Sequence, residues 1–156
     1  MKRLLLLAFC LMQMNSLATA YSFQSPLTFI PSSEDVYLVT VIRFSADKVT
    51  FAINEVLRGK RLTVLKLKPW KENQYRVGSY WLLVSDSKGA SPDCVGFDPK
   101  ESCGWIPMSV NRKDGQSFII AETDQVDGIQ LDMASDGTKG LTIDHVRKLV
   151  KHGPSD

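Results

Sequence analysis

From Lys48 to Asn54 the chain alternates without a break: Val49, Phe51 and Ile53 are apolar, while Thr50, Ala52 and Asn54 are small or polar. A period of two sends successive side chains to opposite faces, so this segment predicts a strand with Val49, Phe51 and Ile53 inward. Its neighbours are of another kind. Asp35 to Phe44 is almost continuously apolar and β-branched (Val36, Tyr37, Leu38, Val39, Val41, Ile42), which suits a strand covered on both faces. Val77 to Ser85 has the same character and is introduced by Gly78. Between them, Arg61 to Lys68 reads as a strand whose inward parity changes between Val64 and Leu65. A one-residue slip flips every later side chain, so a bulge or sharp bend is expected at that pair.

The remaining chain is shorter in its signals. Tyr21 to Ser33 is polar and interrupted by Pro26 and Pro31, an extended lead-in. Trp70 to Arg76 is polar. Asp86 to Gly104 holds Gly89, Pro92, Gly96, Pro99 and two cysteines, and reads as a long irregular stretch. Trp105 to Val110, Gln116 to Ala121 and Gly128 to Leu131 are short strand candidates, the first two separated by the turn-like Arg112-Lys113-Asp114-Gly115. One helix is expected at the end. Thr142 occupies an N-cap position, Ile143, Val146, Leu149 and Val150 form an apolar stripe, and Gly153-Pro154 stops it. Several short strands and one terminal helix predict a mainly β fold, a small barrel or sandwich.

Ahead of this domain stands a segment with the pattern of an export signal. Lys2 and Arg3 precede the apolar run Leu4 to Met14, and Ala18-Thr19-Ala20 offers small residues for cleavage before Tyr21. Cys10 follows bulky Phe9, which does not suit lipidation. The expected organisation is a signal peptide at 1–20, an extended segment at 21–34 and a single domain at 35–156, in a periplasmic or secreted protein. The apolar run falls short of the ~20 residues of a spanning helix, so no transmembrane segment is expected. The signal holds two of the nineteen cations and no acid, so from Tyr21 onward seventeen cations meet seventeen acids. The formal charge of +2 falls to zero, and a global attraction to nucleic acid or anionic membranes loses its basis.

Two cysteines then remain, Cys94 and Cys103. In an oxidising compartment the simplest outcome is a disulfide. The alternatives are metal ligation or a redox pair, but His145 and His152 are distant in sequence and the spacing is not C-x-x-C.

The cadence of Val49 to Ser85 resembles the netrin-like, TIMP-like OB-fold domains of secreted proteins. Glu55-Val56-Leu57-Arg58-Gly59 matches their strand-ending turn, and Gly78-Ser79-Tyr80-Trp81-Leu82-Leu83-Val84 matches a later strand. The resemblance implies a small OB-like β-barrel, here with a C-terminal helix and one disulfide. The family's best-known activity, metalloprotease inhibition, uses a cysteine at the mature N-terminus to chelate zinc. This chain would begin Tyr21-Ser22-Phe23 and has no cysteine between there and Cys94. The resemblance therefore implies a binding scaffold without that mechanism.

Catalytic chemistry finds little footing. The only imidazole bases, His145 and His152, both sit at the terminal helix, and Gly115-Gln116-Ser117-Phe118 does not complete a G-x-S-x-G elbow. An EF-hand register starting at Asp132 places Asp136 and Gly137 well, but puts Ala134 and Ile143 where oxygen ligands belong. Asp-Gly pairs at 127–128 and 136–137 read as turns. Glu55, Glu72, Glu101 and Glu122 all fall near turns or strand ends, with nothing to distinguish one. No cofactor or metal is expected.

The binding candidates are Arg58, Lys60, Arg61, Lys66, Lys68, Trp70 and Lys71, a basic stretch close in sequence to Tyr75 and Trp81. On an OB-type face such residues suit a single-stranded nucleic acid or an acidic oligosaccharide, and export weighs against nucleic acid and for an anionic glycan or protein partner. The plainer reading is an edge strand protected from aggregation by its lysines. The expected function is an exported non-catalytic binding module for a protein or anionic glycan, contacting it through 58–71 and the 86–104 loop. The alternatives are an envelope or extracellular hydrolase using carboxylates and a structural accessory of a cell-surface assembly.

Overall fold

The computed structural model describes residues 24–70, 74–85, 91–98 and 101–152. The expected signal peptide, Lys71, Glu72, residues 86–90 and the Gly153-Pro154 stop lie outside the described residues. Strand β1 (Val36–Ser45) pairs antiparallel with β2 (Lys48–Arg58) on one edge and with β4 (Tyr80–Ser85) on the other. β2 continues to β3 (Val64–Pro69), and β4 pairs with β7 (Glu101–Ser109). β5 (Ser91–Val95) runs parallel to both β3 and β7 and joins them, closing a barrel of six strands in the order β4-β1-β2-β3-β5-β7. The two-residue β6 (Phe97–Asp98) pairs with the start of β7. The first strand lies between the second and the fourth, and the third runs parallel to the last long strand. That path is OB-like, with β5 inserted into the closing seam.

A second sheet, ordered β10 (Asp132–Met133), β11 (Lys139–Thr142), β9 (Gln116–Ile120), β8 (Asn111–Lys113), leads into helix α1 (Ile143–His152). The β8–β9 hairpin turns on Asp114 and Gly115 with φ of 49° and 75°, and Lys113 pairs with Gln116 across them. Positive φ at both central residues matches the right-handed strand twist, which is why Asp-Gly serves there.

The layers share strands. Inside the barrel, Tyr37, Val39 and Val41 of β1 pack with Val49, Phe51, Leu67, Tyr75, Trp81, Leu83 and Val95. Outside it, Val36 and Leu38 of the same strand pack with Leu82, Val84, Ile106, Met108, Ile119, Leu141 and the stripe Ile143, Val146, Leu149, Val150. The near-continuous apolar runs of β1 and β4 thus have two cores to fill, as expected. The alternating segment in β2 also holds, with Val49 and Phe51 fully buried. Thr142 caps α1 as expected, its Oγ1 accepting from His145 N–H at 3.2 Å.

Other expectations change. The β2–β3 register runs unbroken from Ala52↔Val64 to Val49↔Leu67, so no bulge separates Val64 from Leu65. β3 simply starts at Val64 with that side chain outward and 43% exposed. The bulge is on β1. Val41 faces Phe51 and Arg43 faces Thr50, which leaves Ile42 as the extra residue. Glu55 to Arg58 belong to β2, and only Gly59 turns. A Cβ at Gly59 would stand 2.0 Å from Asp35 Oδ1, and its φ is +103°. Asp35 needs that space, because its carboxylate accepts from Lys60 N–H and from Tyr37 Oη. Gly128 to Leu131 forms no strand; it contains one end of an isolated Val126↔Ile129 bridge.

The stretch expected to be irregular contains the closing strand. Ser91–Val95 (SPDCV) has no apolar period to announce it. β5 is placed by backbone pairing, Lys68↔Cys94 and Pro69↔Val95 on one side and Val95↔Trp105 on the other, and by the Cys94–Cys103 disulfide. Gly104 permits the approach, since a Cβ there would lie 2.6 Å from the Ser91 carbonyl oxygen. The disulfide joins cysteines nine positions apart, a loop for which chain entropy suggests roughly 2–3 kcal/mol. The C94S/C103S double variant should therefore lose about that much unfolding free energy in urea titration. It should also show faster amide exchange at Val95. An unchanged midpoint would mean that backbone pairing alone holds the seam.

Candidate functional site

The covering layer reaches only part of the barrel's outer surface. Over Leu82, Val84, Val36 and Leu38 it is closed by α1 and the second sheet. Farther along the same strands no described residue covers the surface. One row across four strands runs Tyr80, Thr40, Ala52, Val64, and a second runs Arg43, Thr50, Lys66. Lys68 follows Lys66 on the same face of β3, and both are exposed. Lys48, at the start of β2, is exposed as well.

The β1 bulge shapes this face. Because Ile42 is the extra residue, Ile42 and Arg43 are both exposed beside Thr50 while Val41 is fully buried in the barrel. Ile42, Arg43, Thr50, Val64 and Lys66 line one shallow trough. Thr50 forms its floor and is itself only 8% exposed, while Ile42 is 48% exposed. At one end Thr40 Oγ1 donates to Asn54 Oδ1 at 2.9 Å, fixing the amide beside the exposed Tyr80 ring. Among the described residues no carboxylate lies within 4.0 Å of Arg43, Lys48, Lys66 or Lys68. Strand spacing puts Arg43 and Lys66 roughly 10 Å apart across β2, and Lys66 and Lys68 roughly 7 Å apart along β3.

The residues singled out from sequence separate into groups. Lys66 and Lys68 lie on this face, and Lys60 and Arg61 are exposed in the β2–β3 connection. Arg58 points the other way. Its Nη1 donates to the carbonyls of Pro31 (2.9 Å) and Ser33 (2.8 Å), and its Nη2 to that of Val150. Its charge ties the N-terminal segment to the end of α1. Trp70 is half-buried at the seam, where its backbone N–H donates to the Val95 carbonyl and its Cβ faces Gly96. Lys71 lies outside the described residues. Arg43, Lys48, Thr50 and Tyr80 were missed because only strand pairing brings them beside Lys66.

Of the groups weighed for catalysis, Glu55, Asp132, Asp136 and His145 are engaged in other contacts, Glu122 is exposed, and the side chain of Glu101 lies outside the described residues. Glu55 makes a two-oxygen contact with Arg147, Nε to Oε1 at 3.0 Å and Nη2 to Oε2 at 2.7 Å. That bond holds the Arg147 guanidinium above its ordinary pKa. Asp132 Oδ2 accepts from Thr142 N–H (2.8 Å) and Oγ1 (2.9 Å), and Oδ1 meets His145 Nδ1 at 3.0 Å. Asp136 pairs with Lys113 at 2.6 Å, which pulls its carboxyl well below the usual range. His152 is exposed at the end of α1. Among the described residues no three His, Cys, Asp or Glu side chains gather as a metal site. Nor is any helix among them long and apolar enough to cross a membrane.

The class the structure defines is a mainly β, OB-like closed barrel with a second small sheet, one C-terminal helix and a disulfide. No protein-family model, no curated protein and no solved structure matches the chain.

The Asp132 knot makes stability depend on pH. Burial alone pushes this carboxyl up, but hydrogen bonds from Thr142 and His145 and the His145 charge outweigh it, leaving it below 3.8. A carboxyl lowered in the folded state stabilises above its unfolded pKa, and that contribution is lost as pH falls from about 3.8 through the folded value. Asp132→Asn should be less stable at neutral pH by roughly 1 kcal/mol. Its thermal midpoint, followed by circular dichroism, should also fall less steeply on acidification. Parallel acid profiles for variant and wild type would remove Asp132 from this role.

Proposed function

We propose that this protein is an exported, non-catalytic binding module of netrin-like OB type. It takes a protein segment or glycan of negative charge on the bare face of β1, β2 and β3. One observation carries the reading: Arg43, Lys48, Lys66 and Lys68 share a face with exposed Ile42, Val64 and Tyr80, and no carboxylate among the described residues lies within 4.0 Å of these cations. An edge that only resists aggregation needs charge but no trough, whereas here the cations border a recess with apolar walls. Their separation suits a chain carrying repeated anions better than one compact anion, which needs convergent donors. The zero net charge beyond the signal makes recognition local, so affinity should depend on these side chains and on ionic strength.

Lys66→Glu with Lys68→Glu should weaken binding to polyglutamate and to a sulfated polysaccharide roughly tenfold or more at low salt. It should also flatten the salt dependence while leaving thermal unfolding unchanged. Calorimetric titration of both polymers measures this. Equal affinity for wild type and variant would remove the face from the function, and a loss confined to one polymer would identify the partner's chemistry.

A further inference from the structure

A second surface lies where the barrel wall parts. β5 stays beside β7 only as far as Val95↔Trp105, whereas β7 continues to Ser109 along β4. Val110 N–H donates to the Tyr80 carbonyl, and the Trp105 carbonyl accepts from Gly96 N–H on the opposite edge. Antiparallel alternation therefore directs the backbone of Ile106 and Met108 to β4, and that of Pro107 and Ser109 away from it. Beyond Trp105 that outer edge has no strand partner among the described residues. It offers the Pro107 carbonyl, the Ser109 N–H and the Ser109 carbonyl.

These groups open onto a cleft of about 400 Å³. Pro26, Trp81, Phe97 and Met108 give it apolar walls, and among the described residues Glu122 is the one charged side chain lining it. Glu122 is exposed and has no cation within 4.0 Å among the described residues.

We propose that this edge binds an extended segment of a partner protein by short strand addition, with a basic side chain of that segment against Glu122. An extended chain is the ligand that meets two outward carbonyls and one N–H at strand spacing, while alternate side chains enter the apolar cleft. The unpaired carboxylate selects a cation. Pro107 carries no N–H, which limits pairing to a few residues and disfavours the long edge-to-edge association of two copies. This surface is separate from the basic face and opposite in charge.

The test uses the oxidised protein and an acetylated, amidated heptapeptide of alternating Val and Thr with Arg at its centre. Binding should slow hydrogen exchange at the Ser109 amide and shift its NMR resonance. Ser109→Pro removes an N–H that the barrel does not use and should weaken binding about tenfold, the equivalent of one good hydrogen bond. Glu122→Lys, which leaves the backbone intact, should weaken it by a similar factor and reverse the preference toward a peptide with Glu in place of Arg. An unprotected Ser109 amide at saturating peptide would overturn the proposal. So would equal affinity for wild type and Glu122→Lys, or dimerisation through this edge in sedimentation without peptide.

Discussion

β1 and β4 form a wall with a hydrophobic core on each side. Tyr37, Val39, Trp81 and Leu83 fill the barrel, while Val36, Leu38, Leu82 and Val84 hold the helix and the small sheet against its outside. Neither layer can be removed without stripping one face of these strands, and large-to-small changes at such positions typically cost 2–5 kcal/mol. The polar bonds around the wall have the same geometry. Glu55 reaches from β2 to Arg147 on α1, and Arg58 from β2 to the Val150 carbonyl at the helix end. The helix is thus fastened to the barrel by apolar packing along its stripe and by two charged contacts at its flank.

The same arrangement decides which surface stays open. α1 and the second sheet cover the strands from Val36 to Leu38 and from Leu82 to Val84, and they stop short of Thr40 and Tyr80. What lies beyond is polar, basic and only partly apolar, and among the described residues no second core covers it. The bulge at Ile42 lies within this stretch. It adds a side chain to the outer face without disturbing Val41 and Phe51 inside, so the barrel core and the bare face vary independently.

Much of this architecture was legible where a residue's neighbours in sequence are also its neighbours in packing. The alternation of Val49, Phe51 and Ile53, the stripe on α1 and the cap at Thr142 each depend on a period within one element. β5 was not legible, since SPDCV is held by a parallel ladder and a disulfide formed with chain well beyond it. Tyr75 was equally hidden. It lies in a polar sequence, yet its ring is in edge or tilted contact with Phe51, Phe44 and Trp81 inside the barrel. The misplaced bulge has a related cause. Val64 is apolar and outward, so parity counting assigned it to the core and needed a slip to explain Leu65. The basic stretch from Arg58 to Lys71 mixed roles for the same reason, because one-dimensional clustering does not distinguish a cation bonded to carbonyls from one in solvent.

β3 and β5 are joined by two residue pairs, and Val95 is the one side chain of β5 that enters the barrel core. So little apolar burial does not by itself hold a strand in register, and the covalent link to Cys103 supplies the missing constraint. Formation of that link favours an oxidising environment, in keeping with the proposed export of the chain. The same short strand leaves β7 unaccompanied beyond Trp105. A longer β5 would have made the barrel less dependent on the disulfide, but it would also have covered the Ser109 backbone. The shortness of β5 therefore underlies both the need for a covalent staple and the open edge beside Glu122.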